Sequence, residues 1–122
     1  MRKILVVDDD ADLLFLGSSL LWQNGYDVFS LAKPENINEV LKTFQPDLVL
    51  LDIKLGEFDG RDICFDLKRN AMTRSIKIIL YSAYPETSVD VSKHGADDFV
   101  SKPYNFKYLV TRIGNLLNFA AT

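Results

Sequence analysis

Apolar residues fall into short dense blocks, and between the blocks they recur at helical spacing. Ile4-Leu5-Val6-Val7 and Leu48-Val49-Leu50-Leu51 are continuous runs, the pattern of strands covered on both faces. Tyr26 to Leu31 alternates loosely and predicts a second strand. Ile76 to Tyr81 predicts a fourth, and Asp98 to Val100 a short fifth. A first helix follows Asp10, which can cap it. It runs to about Asn24, with Leu13, Leu16 and Leu20 inward and Gly17 and Leu21 partly buried. Gly25 stops it. Pro34 suits the first turn of a second helix, whose Ile37, Val40, Leu41 and Phe44 share one face before Pro46 ends it. Asp59-Gly60 opens a third helix with Gly60, Ile63, Cys64 and Leu67 inward. A weak, β-branched fourth helix spans about Glu86 to Lys93 and stops at Gly95. The last begins near Asn105 and lines up Phe106, Leu109, Val110, Ile113, Leu116 and Leu117.

Five strands alternating with five helices predict a parallel sheet with helices on both faces. For five strands the flavodoxin-like order 2-1-3-4-5 is expected, an α/β three-layer sandwich filling one domain. In such a sheet the strand ends share one rim. Asp8 and Asp9 follow strand one, Asp52 strand three and Ser82 strand four, while Lys102 follows strand five. Two carboxylates about 4 Å apart repel by roughly 4 kcal/mol at an effective dielectric near 20. A hard divalent cation relieves that crowding, so Mg²⁺ (or Mn²⁺) is the expected cofactor. Together with Lys102 and the Ser82 hydroxyl it would clamp a phosphate against a carboxylate nucleophile. Asp10, Asp12 and Asp59 read as caps and solvated turns, and Cys64 as a small core residue.

These segments resemble the receiver domain of bacterial two-component response regulators (CheY-like). Ile4 to Asp10 looks like the acidic entry motif and Asp52 to Gly60 like the phosphoacceptor loop. Ser82-Ala83 looks like the hydroxyl position, and Gly95 to Pro103 like the segment carrying the switch aromatic and lysine. The resemblance implies that Asp52 takes a phosphoryl group from a histidine kinase or histidine phosphotransfer protein. It implies that Asp9 and Asp52 bind Mg²⁺ directly, Asp8 through water, and the Lys54 backbone carbonyl as a further ligand. Lys102 would pair with the phosphoryl group, Ser82 would hydrogen-bond to it, and Phe99 would turn inward on activation. The surface of the fourth helix, fifth strand and fifth helix would then change, and two copies could pair there. By analogy the Lys102-Pro103 bond is cis.

The chain departs from the pattern at Gly56, where proline is common, which predicts a looser loop. Lys54 and Tyr84 beside the acceptor predict a long-lived aspartyl phosphate. Two other readings stay open. One is a metal-dependent phosphatase with an aspartyl-phosphate intermediate. The other is a degenerate receiver that only binds a partner.

Bulk properties narrow the rest. The 122 residues carry a net charge of -3, without the basic footprint of a nucleic-acid binder. No direct nucleic-acid contact is therefore expected, and DNA binding would belong to another chain or segment. No apolar run nears the roughly 18 residues that span a bilayer. One cysteine excludes an internal disulfide and points to a reducing compartment. The expectation is a cytoplasmic receiver over 1–122 with a native start at Met1, without an effector domain in this chain, and with its downstream partner unknown.

Overall fold

The computed structural model describes residues 2–83, 91–102 and 105–118. Strands β1 (Lys3–Val7), β2 (Asp27–Leu31), β3 (Leu48–Asp52), β6 (Lys77–Ser82) and β7 (Asp98–Ser101) form one parallel sheet in the order β2-β1-β3-β6-β7. A two-residue hairpin, β4 (Lys54–Leu55) with β5 (Phe58–Asp59), interrupts the numbering. Without it the order is the expected 2-1-3-4-5. The helices are α1 (Ala11–Gln23), α2 (Ile37–Phe44), α3 (Gly60–Arg69), α4 (Val91–His94) and α5 (Phe106–Asn118). The rest of the predicted fourth helix lies outside the described residues. Among the described residues no helix is long and apolar enough to cross a membrane.

Continuous apolar strands divide their side chains between two cores, because successive residues point to opposite faces. Ile4, Val6, Leu48 and Leu50 pack with Leu14 and Leu21 of α1 and with Leu109, Ile113 and Leu117 of α5. Leu5, Val7, Val49 and Leu51 pack with Val40 and Leu41 of α2 and with Cys64 and Leu67 of α3. The inner residues of β1 and β3 are essentially sealed from water. Each such leucine or isoleucine contributes about 1.5–3 kcal/mol.

The faces of α2, α3 and α5 are those the periodicity predicts. That of α1 is not. Leu14, Gly17 and Leu21 face the core, while Leu16 is 53% exposed and Leu13 and Leu20 are only half-buried. Leu13 to Leu16 are all apolar, so two stripes with the same spacing compete. Asp10 caps the helix, its carboxylate accepting from the Asp12 and Leu13 amides, and packing of Leu14 and Leu21 against β1 and β3 selects the stripe that is buried.

At the start of α3, Asp59 caps the Arg61 amide at 2.8 Å, and Gly60 donates to the Ile53 carbonyl at 2.6 Å. A Cβ on Gly60 would lie 2.0 Å from the Asp52 carbonyl oxygen. The helix therefore abuts the backbone of Asp52, and only glycine permits that approach. Gly60→Ala is expected to lower stability by about 3 kcal/mol or more, since backbone cannot yield as a side-chain tip does. Urea unfolding measures this, and an unchanged midpoint would show that the contact is relieved elsewhere.

Candidate functional site

Strand register assembles the site. Val7 pairs with Leu51, which sets Asp8 beside Asp52, and Asp52 in turn pairs with Tyr81. Ser82 is the next residue of β6 and pairs with Ser101, one before Lys102. The Lys102 amide donates to the Ser82 carbonyl at 2.7 Å, carrying the edge past the end of β7. Side chains from three strand ends and from the segment after β7 thus meet without any long loop.

Asp8 and Asp52 are buried, at 0% and 5% exposure. Lys102 Nζ bridges them, 3.2 Å from Asp8 Oδ2 and 3.0 Å from Asp52 Oδ2. Asp8 is further held by the Tyr81 hydroxyl, which donates to Oδ2 at 2.7 Å, and by the Asp10 amide, which donates to Oδ1 at 2.9 Å. The Tyr81 ring also lies under the ammonium, with Nζ 4.5 Å from its centroid. Burial lifts the Asp52 carboxyl to about 6. Lys102 opposes the shift by hydrogen bond and charge, and the Asp8 carboxylate adds to it. For Lys102, burial works against the charge, but its bonds to Asp52 and the two carboxylate charges prevail and raise it.

Asp8, Asp9 and Asp52 each present a carboxylate oxygen within 4.8 Å of the others. Among the described residues no nitrogen or sulfur ligand joins them, so the donor set fits a hard cation. Above them opens a cavity of about 340 Å³ lined by Asp9, Asp10, Asp52, Lys54, Ser82, Ala83 and Lys102. Asp8 lies beneath it. Phe99 lies apart, 8% exposed in the core with Val7 and Leu80. Tyr84 and Pro103 fall outside the described residues, as does the predicted cis bond.

The loop after Asp52 differs from the expectation of a looser segment. Gly56 has φ +60° at the tip of the β4–β5 hairpin, where glycine suits the first central position of a two-residue turn. Its amide donates to Asp9 Oδ2 at 3.1 Å. A proline has no N–H to make that bond, so the departure at Gly56 ties the loop to the acidic cluster. Tyr81 is the residue that sequence reasoning missed. Its signal was a polar-tipped aromatic beside the strand-end serine, and a buried tyrosine hydroxyl needs a partner. Cys64 is core, as expected, with burial pushing its thiol up to about 11.

Comparison with known proteins gives a consistent picture. The family model "Response regulator receiver domain" matches residues 4–114. The sensory transduction protein BceR of Halalkalibacterium halodurans is 35% identical over 119 residues, covering 96% of this chain and 50% of its own. The DNA-binding response regulator MtrA of Mycobacterium tuberculosis is 35% identical, covering 92% and 49%. The chain thus spans about half the length of these curated relatives. A CheY-like receiver structure from Methanospirillum hungatei superposes with a TM-score of 0.87 at 28% identity, over 97% of this chain and 94% of that one. The expectation of no nucleic-acid contact is at odds with relatives such as MtrA, which is named for binding DNA.

Burial of Asp52 makes a sign-definite stability prediction. A folded-state Asp52 value near 6 exceeds the ordinary 3.8, so the carboxyl favours the fold below that ordinary value. The benefit is lost as pH rises through 6. Asp52→Asn should therefore stabilise the protein by about 1–2 kcal/mol at pH 7–8 and by little near pH 4. Urea midpoints at both pH values test it, and destabilisation at pH 8 would refute it.

Proposed function

Because the chain belongs to the family of response regulator receiver domains, we propose that Asp52 is the phosphoacceptor through which it serves in two-component phosphorelay. One observation supports this most. Asp52 is buried at a central strand end, opens onto the cavity, and has the Lys102 ammonium 3.0 Å from one oxygen. Phosphoryl transfer asks for positioning and charge neutralisation more than for acid–base groups, and those are what the site supplies.

The donor is a phosphohistidine of a histidine kinase or histidine phosphotransfer protein. An Asp52 carboxylate oxygen attacks phosphorus, the P–O bond forms as the P–N bond breaks, and the leaving imidazole nitrogen takes a proton from water. Lys102 holds the charge that gathers on the phosphoryl oxygens. Ser82, on the same cavity wall, donates its hydroxyl to one of them. Asp8, Asp9, Asp52 and the Lys54 carbonyl would hold Mg²⁺ (or Mn²⁺), which when bound neutralises carboxylate and phosphoryl charge. Hydrolysis of the acyl phosphate resets the site, so the chain acts as an acceptor rather than on a separate turnover substrate.

Phosphorylation adds about -1.5 to -2 charges where Asp8 and Asp52 already crowd. Lys102, now shared between them, is drawn to the new oxygens. Ser82 is drawn toward the new oxygens as well, and Phe99 turns inward behind it, a local charge event biasing a two-state surface. The output surface is α4, β7 and α5, through which two copies can pair. We read the 122 residues as one cytoplasmic receiver domain. The names of longer relatives favour a DNA-binding output outside it, since this chain's own charge is -3.

Incubation with Mg²⁺ and acetyl phosphate, followed by intact mass, should show one hydroxylamine-sensitive phosphoryl adduct that Asp52→Ala lacks. Steady turnover of a phosphoester would favour the phosphatase reading instead. Absence of any adduct would leave a binding module. Lys54 lines the cavity beside the acceptor, where its side chain obstructs the attacking water. Lys54→Asn should hasten loss of the phosphoryl group about three- to tenfold, up to ~1.4 kcal/mol in barrier. An unchanged half-life would remove Lys54 from that role.

A further inference from the structure

β2 is one end of the sheet, and among the described residues it pairs only with β1. The Asp27 amide donates to the Arg2 carbonyl at 2.9 Å, and the Leu31 carbonyl accepts from the Asp8 amide at 3.1 Å. Alternate residues share a direction along a strand. The backbones of Asp27, Phe29 and Leu31 therefore face β1, and those of Val28 and Ser30 face outward. Such edges are normally guarded by lysine, proline, a bulge or a covering element. β2 has none of the first three: its register is one-to-one, it contains no proline, and Asp27 is its only charge.

Exposed aromatic surface flanks this edge on both faces of the sheet. On the α1 side a depression of about 450 Å³ is lined by Phe15, Trp22, Val28 and Ser30 among others. Phe15 is 75% exposed and Trp22 66%. On the α2 side Phe29 is 41% exposed and stands 5.6 Å from Phe44, ring centre to ring centre. Together with the unpaired strand between them, these exposed rings offer apolar surface on both sides of one edge.

We propose that β2 is a self-association edge, at which two copies of this chain join their sheets by antiparallel β2–β2 pairing about a twofold axis at Phe29. The register follows from which groups point outward. Val28 of each copy faces Ser30 of the other, and their outward N–H and C=O groups close two reciprocal pairs. Phe29 then meets its own copy at a non-hydrogen-bonded position, where opposed side chains come closest. Asp27 falls opposite Leu31, so no like charges face each other. This self-complementarity selects a second copy over a foreign strand, since one surface supplies both halves of a twofold contact. Phe15, Trp22 and Phe29 together expose on the order of 400 Å², about half of what one partner brings to a standard interface. The dimer is therefore weak and concentration-dependent. It lies at the opposite edge of the sheet from β7, and it stands independently of the phosphoacceptor reading.

Sedimentation velocity of the unmodified chain from roughly micromolar to millimolar concentration tests the proposal. A monomer–dimer equilibrium is expected, weakened at least tenfold by Phe29→Lys and by Trp22→Glu, and unchanged by Tyr108→Ala on α5. Exchange of the Val28 and Ser30 amides should slow as concentration rises. Trp22 is exposed on α1, so its variant keeps the test informative if Phe29→Lys fails to fold. A monomer at every concentration overturns the proposal. So does a dimer that survives Trp22→Glu or is lost in Tyr108→Ala, or an added peptide that protects both amides while the chain alone stays monomeric.

Discussion

Two nearly water-free carboxylates, Asp8 and Asp52, share a single ammonium, and the rest of the molecule accommodates that arrangement. One lysine cannot balance two carboxylates in a site with Asp9 on its rim. Burial makes the imbalance worse, and Asp52 responds by holding its proton more tightly. The strain is tolerated because the partners are fixed. Tyr81 and the Asp10 amide hold Asp8, Lys102 bridges to Asp52, and Gly56 binds Asp9. A site already short of positive charge would gain from a cation and respond strongly to any further negative charge placed there. The sensitivity is a property of the resting charge balance rather than of any single residue.

The scaffold's part is to prevent the carboxylates from relaxing apart. Parallel registers β1–β3 and β3–β6 fix Asp8, Asp52 and Tyr81 side by side, with sealed leucines and valines directly beneath them. From the other side α3 closes against the Asp52 carbonyl through Gly60. Moving Asp52 away from Asp8 would require breaking strand pairing or displacing a capped helix.

Much of this was readable in the sequence because it is written in local patterns. Continuous apolar runs marked the central strands, strand-end residues marked the rim, and the faces of α2, α3 and α5 followed from their spacing. The failures share a cause: information that exists only once elements are juxtaposed. Four consecutive apolar residues in α1 left two possible faces, and packing against the sheet chose between them. Gly56 looked like a source of looseness, but its amide has a partner 47 positions away in the sequence. Tyr81 was only the last residue of a predicted strand until the β1 end was set beside it.

The same reasoning separates the two special regions of the surface. The rim declares itself by charges that a core would reject, so a reader of sequence finds it before knowing the fold. The β2 edge declares itself by charges that are absent, and an absence has meaning only once the strand is known to be an edge. Val28-Phe29-Ser30-Leu31 would be unremarked in the middle of a sheet. At its end, with outward amides at Val28 and Ser30 and aromatics on both faces, the same four residues lack the guards that keep sheets apart. Charge marks the rim proposed to accept the phosphoryl group, and missing charge marks the edge proposed for self-association.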